Sequence, residues 1–173
     1  MRYGANLMEN NAKLKVFFVC HGNICRSPMA EFVLRRLVDA AGLSQNVDIA
    51  SAATSDEEIG NPVYPLAKRT LAIHGIGCRD KVAQRITSEM YDDADLIVAL
   101  DRHNVANLDR LLGPDVDNKV RLLLDFLPVE HPKHSCDIAD PWYTRDFETA
   151  YNDILLGCKA LLKYLESQIA AIN

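Results

Sequence analysis

The 173-residue sequence has no apolar run near the ~20 residues that a membrane-spanning helix needs, and Met1–Lys13 lacks the apolar core of a signal peptide. It has no cationic excess either: 19 Lys and Arg stand against 24 Asp and Glu, a net charge of −5. That balance offers nothing to hold a polyanion, so nucleic acid is excluded as a partner. Nor is there a cysteine framework. The five cysteines, Cys20, Cys25, Cys78, Cys136 and Cys158, are an odd, scattered set, which predicts free thiols. Only Cys20 and Cys25 lie close together, and no second pair of Cys or His completes a set of four zinc ligands, so no metal is expected. Linkers and low-complexity stretches are missing too. What remains predicts a soluble, cytoplasmic chain with no membrane contact: a polar N-terminal extension over residues 1–12, then one domain over 13–173. The 49% hydrophobic and 25% charged composition suits a well-buried core.

The elements alternate. Lys13–Cys20 (KLKVFFVC) carries a continuous apolar run without alternation, as a strand buried on both faces does. From Pro28 to Ala41 apolar residues recur with helical spacing, and Gly42 stops the helix. Further strands are expected at Val47–Ala53, Asp95–Leu100 and Val120–Leu124, and helices at Pro62–His74, Ser88–Asp92, His103–Leu112 and Phe147 to about Ile169. A long loop runs from Pro128 to Arg145. Strands separated by helices predict an α/β fold: a single three-layer domain whose four-stranded parallel sheet is flanked by helices on both faces. Ligands of such sheets bind beyond the carboxyl ends of the strands, where Cys20 sits.

The segment Cys20-His21-Gly22-Asn23-Ile24-Cys25-Arg26-Ser27-Pro28 joins the first strand to the first helix. Its backbone must turn sharply and can aim several N–H groups at one point, a cradle for a tetrahedral oxyanion. Gly22 and Asn23 are the residue types that take up positive φ most easily, and Ser27-Pro28 reads as an N-cap followed by the first helical residue. Glu31 lies one place past the capping-box position, so only a loose dipole benefit is expected of it. A thiol facing this cradle has its anion stabilised by the groups that bind phosphate, which makes Cys20 a nucleophile without an adjacent base. Arg26 can fold its planar fork back over the same pocket and hold two phosphate oxygens, which Lys could not do.

In-line attack by Cys20 on a phosphate ester needs a proton donor for the leaving oxygen, preferably on a loop over the site. Asp140 supplies one, and Trp142 and Tyr143 beside it make a wall for a substrate ring. The same Asp-Pro step also fits a turn aspartate, and both aromatics fit loop anchors.

These residues resemble the low-molecular-weight protein tyrosine phosphatases. The resemblance extends from Lys15 onward through the Cys20–Pro28 loop, Ser51-Ala-Ala-Thr-Ser55, Glu58-Ile-Gly-Asn-Pro62, the Asp101 region and Asp140-Pro141 before an aromatic pair. It implies Cys20 as nucleophile, Arg26 as clamp, Asp140 as general acid, and Asn23 and Ser27 as hydrogen-bond partners that order the loop. It also implies Cys25 as a thiol able to form a protective disulfide with Cys20. The implied substrate is a phosphotyrosine-containing protein or a small aryl phosphate, with phosphate-like oxyanions as inhibitors and no cofactor. Two positions depart from the family: Glu57 stands where many members place a rim aromatic, and Lys81 where several have a loop-ordering histidine. Rival readings are an arsenate reductase, for which Cys78 has no near thiol partner in sequence, and a phosphoarginine phosphatase, in which similar proteins carry threonine at the Ile24 position. A silent phosphate-binding module is a further rival of a different class.

Overall fold

The computed structural model describes residues 12–172, so nearly all of the expected 1–12 extension lies outside the described residues. The elements follow in the order β1 (Leu14–Cys20), α1 (Arg26–Ala40), β2 (Val47–Ala53), α2 (Pro65–Ile73), α3 (Ser88–Asp93), β3 (Leu96–Ala99), α4 (Arg102–Leu112) and β4 (Val120–Leu122). A 3-10 turn (Leu123–Phe126), the short helix α5 (Pro141–Thr144) and the long helix α6 (Phe147–Ile172) complete the chain. The sheet is parallel throughout, in the order β2-β1-β3-β4.

Central strand β1 pairs with β2 on one side, Leu14 against Val47 through Cys20 against Ala53, and with β3 on the other. It must therefore be apolar on both faces, and it is. Val16, Phe18 and Cys20 pack in the larger core with α1 and α6, while Val19 joins Ala52, Ile97 and Leu108 in the smaller core under α3 and α4. Three layers follow, as the alternation of elements predicts. Gly157 lets α6 approach the turn after β4: a Cβ there would stand 2.5 Å from Leu123 Cγ.

The chain departs from expectation in its boundaries. β4 ends at Leu122 rather than Leu124, because the Asp125 carboxylate accepts the Leu122 N–H at 3.1 Å and curls Leu123–Phe126 into a 3-10 turn. α2 starts at Pro65 rather than Pro62; Tyr64, preceding a proline, is extended at ψ 136°, and Pro62 forms a bridge with Val82. Pro141–Thr144, inside the expected long loop, is one turn of helix.

The chain leaves β1 toward β2 on one side and returns to β3 on the other, so the strand order reverses between β1 and β3. The loops following those two strands diverge and leave a crevice at the carboxyl edge of the sheet. Cys20 ends β1, and Asp101 follows β3.

Candidate active site

Three neighbouring backbone bonds hold the loop after Cys20 from outside: Thr54 N–H to Cys20 O at 2.9 Å, Ser55 N–H to His21 O at 3.0 Å and Tyr64 N–H to Ile24 O at 2.8 Å. α1 begins at Arg26 with Cys25 as its uncapped N-terminal residue, two positions earlier than Ser27-Pro28 suggests. Ser27 is therefore not a helix cap. Its hydroxyl lies 3.0 Å from Cys20 Sγ, and the first-turn N–H groups of α1 stay free to face an anion. Within the loop only Asn23 has positive φ, at 58°, so the expectation of the same for Gly22 is not met. Gly22 instead borders the rim, where a Cβ would touch Glu58 Cγ at 3.4 Å.

The buried bonds around Cys20 form a directed chain. Asn23 Nδ2 donates to Ser27 Oγ at 2.8 Å and to Ser51 Oγ at 2.9 Å, while Asn23 Oδ1 accepts from Gln84 N at 3.1 Å. Ser51 donates in turn to Glu31 Oε2 at 2.5 Å. With both Asn23 hydrogens used, Ser27 keeps its own O–H for Cys20 Sγ, which also accepts from Asn23 N at 3.3 Å. Ser27 Oγ and Asn23 N thus converge on one sulfur. Glu31 overturns the loose-dipole expectation: it is 3% exposed, and Arg35 at 2.7 Å and Lys81 at 3.2 Å compensate its charge. Lys81 also donates to Ser51 O at 3.0 Å. The hydroxyls of Thr54 and Ser55, buried beside the loop, have no partner among the described residues.

Arg26 is only 2% exposed. Its Nη1 donates to Asp101 Oδ2 at 2.6 Å and to Ile138 O at 2.8 Å, and its Nη2 to Asp140 Oδ2 at 3.2 Å. Burial opposes the guanidinium charge, but Cys20, Asp140 and Asp101 outweigh it and hold Arg26 above its usual pKa. Asp101 also caps α4 reciprocally with Asn104, so the partner of Arg26 comes from the far wall of the crevice. Asp140 caps α5 through Trp142 N at 3.0 Å. Asp140 is thus the turn aspartate that the sequence allows, with one carboxylate oxygen on the backbone and the other on Arg26. All five cysteines are free thiols, and burial, followed by the charges of Cys20 and Asp140, pushes Cys25 up to about 12. Cys78 and Cys158 are buried, and Cys136 is exposed.

A cavity of about 380 Å³ opens over this floor. Cys20, His21, Gly22, Ile24, Cys25, Arg26, Glu57, Asp140, Trp142 and Tyr143, all expected from the sequence, line it together with Glu58, which was not. Asn23 and Ser27 are buried beneath. The sequence reading missed Asp101 and Glu31 as site residues. A carboxylate directly after an apolar strand was the available signal for the first, whereas a glutamate inside an amphipathic helix gave none for the second. At the rim, His21 Nε2 and Glu57 Oε2 are 3.1 Å apart, and Tyr64 meets Trp142 edge-on at 5.1 Å between centroids.

A family model described as low molecular weight phosphotyrosine protein phosphatase matches residues 15–171. The chain is 34% identical over 155 residues to the low molecular weight protein-tyrosine-phosphatase YfkJ of Bacillus subtilis, covering 90% of this chain and 97% of that protein. It is 38% identical over 158 residues to the low molecular weight phosphotyrosine protein phosphatase of Homo sapiens, covering 90% and 98%. The crystal structure of YfkJ superposes with a TM-score of 0.85, covering 91% of this chain and 97% of that one. The phosphatase SP-PTP of Streptococcus pyogenes, 37% identical, gives 0.77 over 88% and 93%.

Proposed function

Since this chain belongs to the low molecular weight phosphotyrosine protein phosphatases, we propose that it hydrolyses phosphotyrosine through a covalent intermediate on Cys20. The observation that carries the reading is the convergence, on one cavity, of a doubly hydrogen-bonded Cys20 sulfur, the buried Arg26 guanidinium and the Asp140 carboxyl.

The phosphoryl group settles among the loop amides, the N-terminus of α1 and Arg26, whose Nη2 exchanges Asp140 for a phosphate oxygen. Asp101 and Ile138 O keep hold of Nη1, so the fork stays oriented through that exchange. The Cys20 thiolate attacks in line. The S–P bond forms as the P–O bond to the tyrosine breaks, and Asp140 gives its proton to the departing oxygen. Water then attacks phosphorus with Asp140 as base, the S–P bond breaks, and phosphate and the Cys20 thiolate are released. Charge spread over the equatorial oxygens is met by Arg26 and the backbone amides. Tyr143 and Trp142 flank the space for the aryl ring. Phosphate-like oxyanions are expected to compete for the same cradle, and the cytoplasm is the expected location. Among the described residues no helix is long and apolar enough to cross a membrane.

The acidic rim of Glu57 and Glu58 supports a second reading, a phosphoarginine substrate whose guanidinium would face these carboxylates, against an apolar Ile24 that favours an aryl group. One experiment separates them: turnover of para-nitrophenyl phosphate, a phosphotyrosyl peptide and a phosphoarginyl peptide by wild type, Cys20→Ser and Asp140→Ala. Aryl-phosphate turnover that vanishes in Cys20→Ser and falls about 10²-fold or more in Asp140→Ala is expected. Turnover surviving in Cys20→Ser would sink the mechanism, and a preference for the phosphoarginyl peptide would sink the substrate.

A further inference from the structure

Asp140 stands on a single turn of helix, Pro141–Thr144, inside a long irregular segment, yet proton transfer requires its carboxyl to be placed to within a fraction of an ångström. The bond to Arg26 does not do this once phosphate has taken over Nη2. Another contact must hold the turn.

Tyr64 provides it. Its N–H is fastened to Ile24 O of the phosphate loop at 2.8 Å, so the residue moves with that loop. Its ring meets the acid-bearing turn, the residue that ends it and the start of α6 on three sides. Trp142 packs edge-on at 5.1 Å, Phe147 stacks at 5.8 Å with 21° between the planes, and Arg145 Nη2 donates to the phenol oxygen at 3.0 Å. Arg145 ends the turn with φ 60°, a left-handed conformation rare for a residue with a Cβ, and its N–H closes the turn on Pro141 O at 2.9 Å. An exposed arginine with no carboxylate partner among the described residues ordinarily extends into water. This one lies over the rings of Tyr64 and Phe147, at 5.5 and 5.7 Å from their centroids.

We propose that Arg145 and Tyr64 form a brace that ties the acid-bearing turn to the phosphate loop and so sets the position of Asp140 for proton transfer. They are positioning residues; neither touches the reacting atoms. The proposal rests on Asp140 being the general acid. Its signature is selective, because a displaced acid matters most for the ester whose leaving oxygen most needs a proton. Phenyl phosphate needs it more than para-nitrophenyl phosphate, whose leaving group is stable as an anion.

The test measures kcat/KM for both esters with wild type, Arg145→Met, Arg145→Lys, Tyr64→Phe and Asp140→Ala, and with Asp140→Ala combined with Arg145→Met. Arg145→Met is expected to lose about tenfold on phenyl phosphate and about twofold on para-nitrophenyl phosphate, part of the ~10²–10⁴-fold that a general acid supplies. Inhibition by inorganic phosphate should not change, Arg145→Lys should recover only part of the loss, and Tyr64→Phe, which removes one oxygen from a retained ring, should show the same selectivity more weakly. In the Asp140→Ala background, Arg145→Met should have no further effect. Equal losses on both esters, or losses that persist without Asp140, would make the brace merely structural and overturn the proposal. Absence of wild-type turnover would overturn the phosphatase reading and the brace with it, whereas turnover without selective loss overturns the brace alone.

Discussion

At the floor of the cavity Cys20, Asn23, Arg26 and Ser27 are between 0% and 4% exposed, whereas at the rim Trp142 is 44% and Tyr143 80% exposed. The floor is held by a directed chain of buried hydrogen bonds that ends on an ion pair, the rim by ring contacts and one exposed pair, His21 with Glu57. In a low-dielectric interior an unmade hydrogen bond is costly, so a floor of this kind has one arrangement or none. A solvated rim tolerates change. On the proposed mechanism, the nucleophile and the clamp lie in the buried floor, and selection among substrates falls to the solvated rim.

The largest effect should come from Asn23→Ala, which breaks the chain at its branch point. Alanine at φ 58° costs about 1–2 kcal/mol, and the unpaired groups left on Ser27, Ser51 and Gln84 add about 1–3 kcal/mol. Denaturant unfolding should show the sum, and kcat/KM should fall on the order of 10²-fold. Asn23→Gly should regain the backbone part of the stability but not the rate; if it restores both, the hydrogen bonds do not orient Cys20.

A middle effect is expected far from the reacting atoms. Lys81→Met leaves Glu31 buried with only Arg35 and Ser51. Thermal or denaturant unfolding should register a loss of about 2 kcal/mol, below the ~3–5 kcal/mol of a fully broken buried pair because Arg35 remains. Adding Glu31→Gln should recover much of it. Were the single and double variants equally stable, floor and rim would not differ in kind.

The smallest effect belongs to the rim. Glu57→Gln removes one partner of an exposed pair, so stability should stay within about 0.5 kcal/mol. With phosphotyrosyl peptides, kcat/KM should change about twofold, in favour of acidic flanking residues and sensitive to salt. A change as large as that of Lys81→Met would erase the contrast.

The order of the elements up to the long loop, the parallel sheet and most of the cavity lining were legible from local pattern: continuous apolar strands, helical spacing, and a loop whose residue types all suit one anion; Glu57 came only from the family resemblance. Boundaries were not, because a single side-chain bond settles them. Asp125 ends β4, and a proline pulls Tyr64 out of α2. Ser27 looked like a helix cap since its sequence context is that of one; in the fold its hydroxyl is engaged by Asn23 and Cys20 before it can cap.

By itself the sequence determined the candidates for nucleophile, clamp and acid, because Cys20 and Arg26 lie on one short loop and Asp140 carries its own local signal. Only the tertiary structure decided what surrounds them. Asp101 reaches Arg26 across 75 positions, and Lys81 reaches Glu31 from another part of the chain. Such partnerships leave no periodic or local trace, since a buried charge requires only that a compensating group arrive beside it, and which group arrives is fixed by how the layers pack.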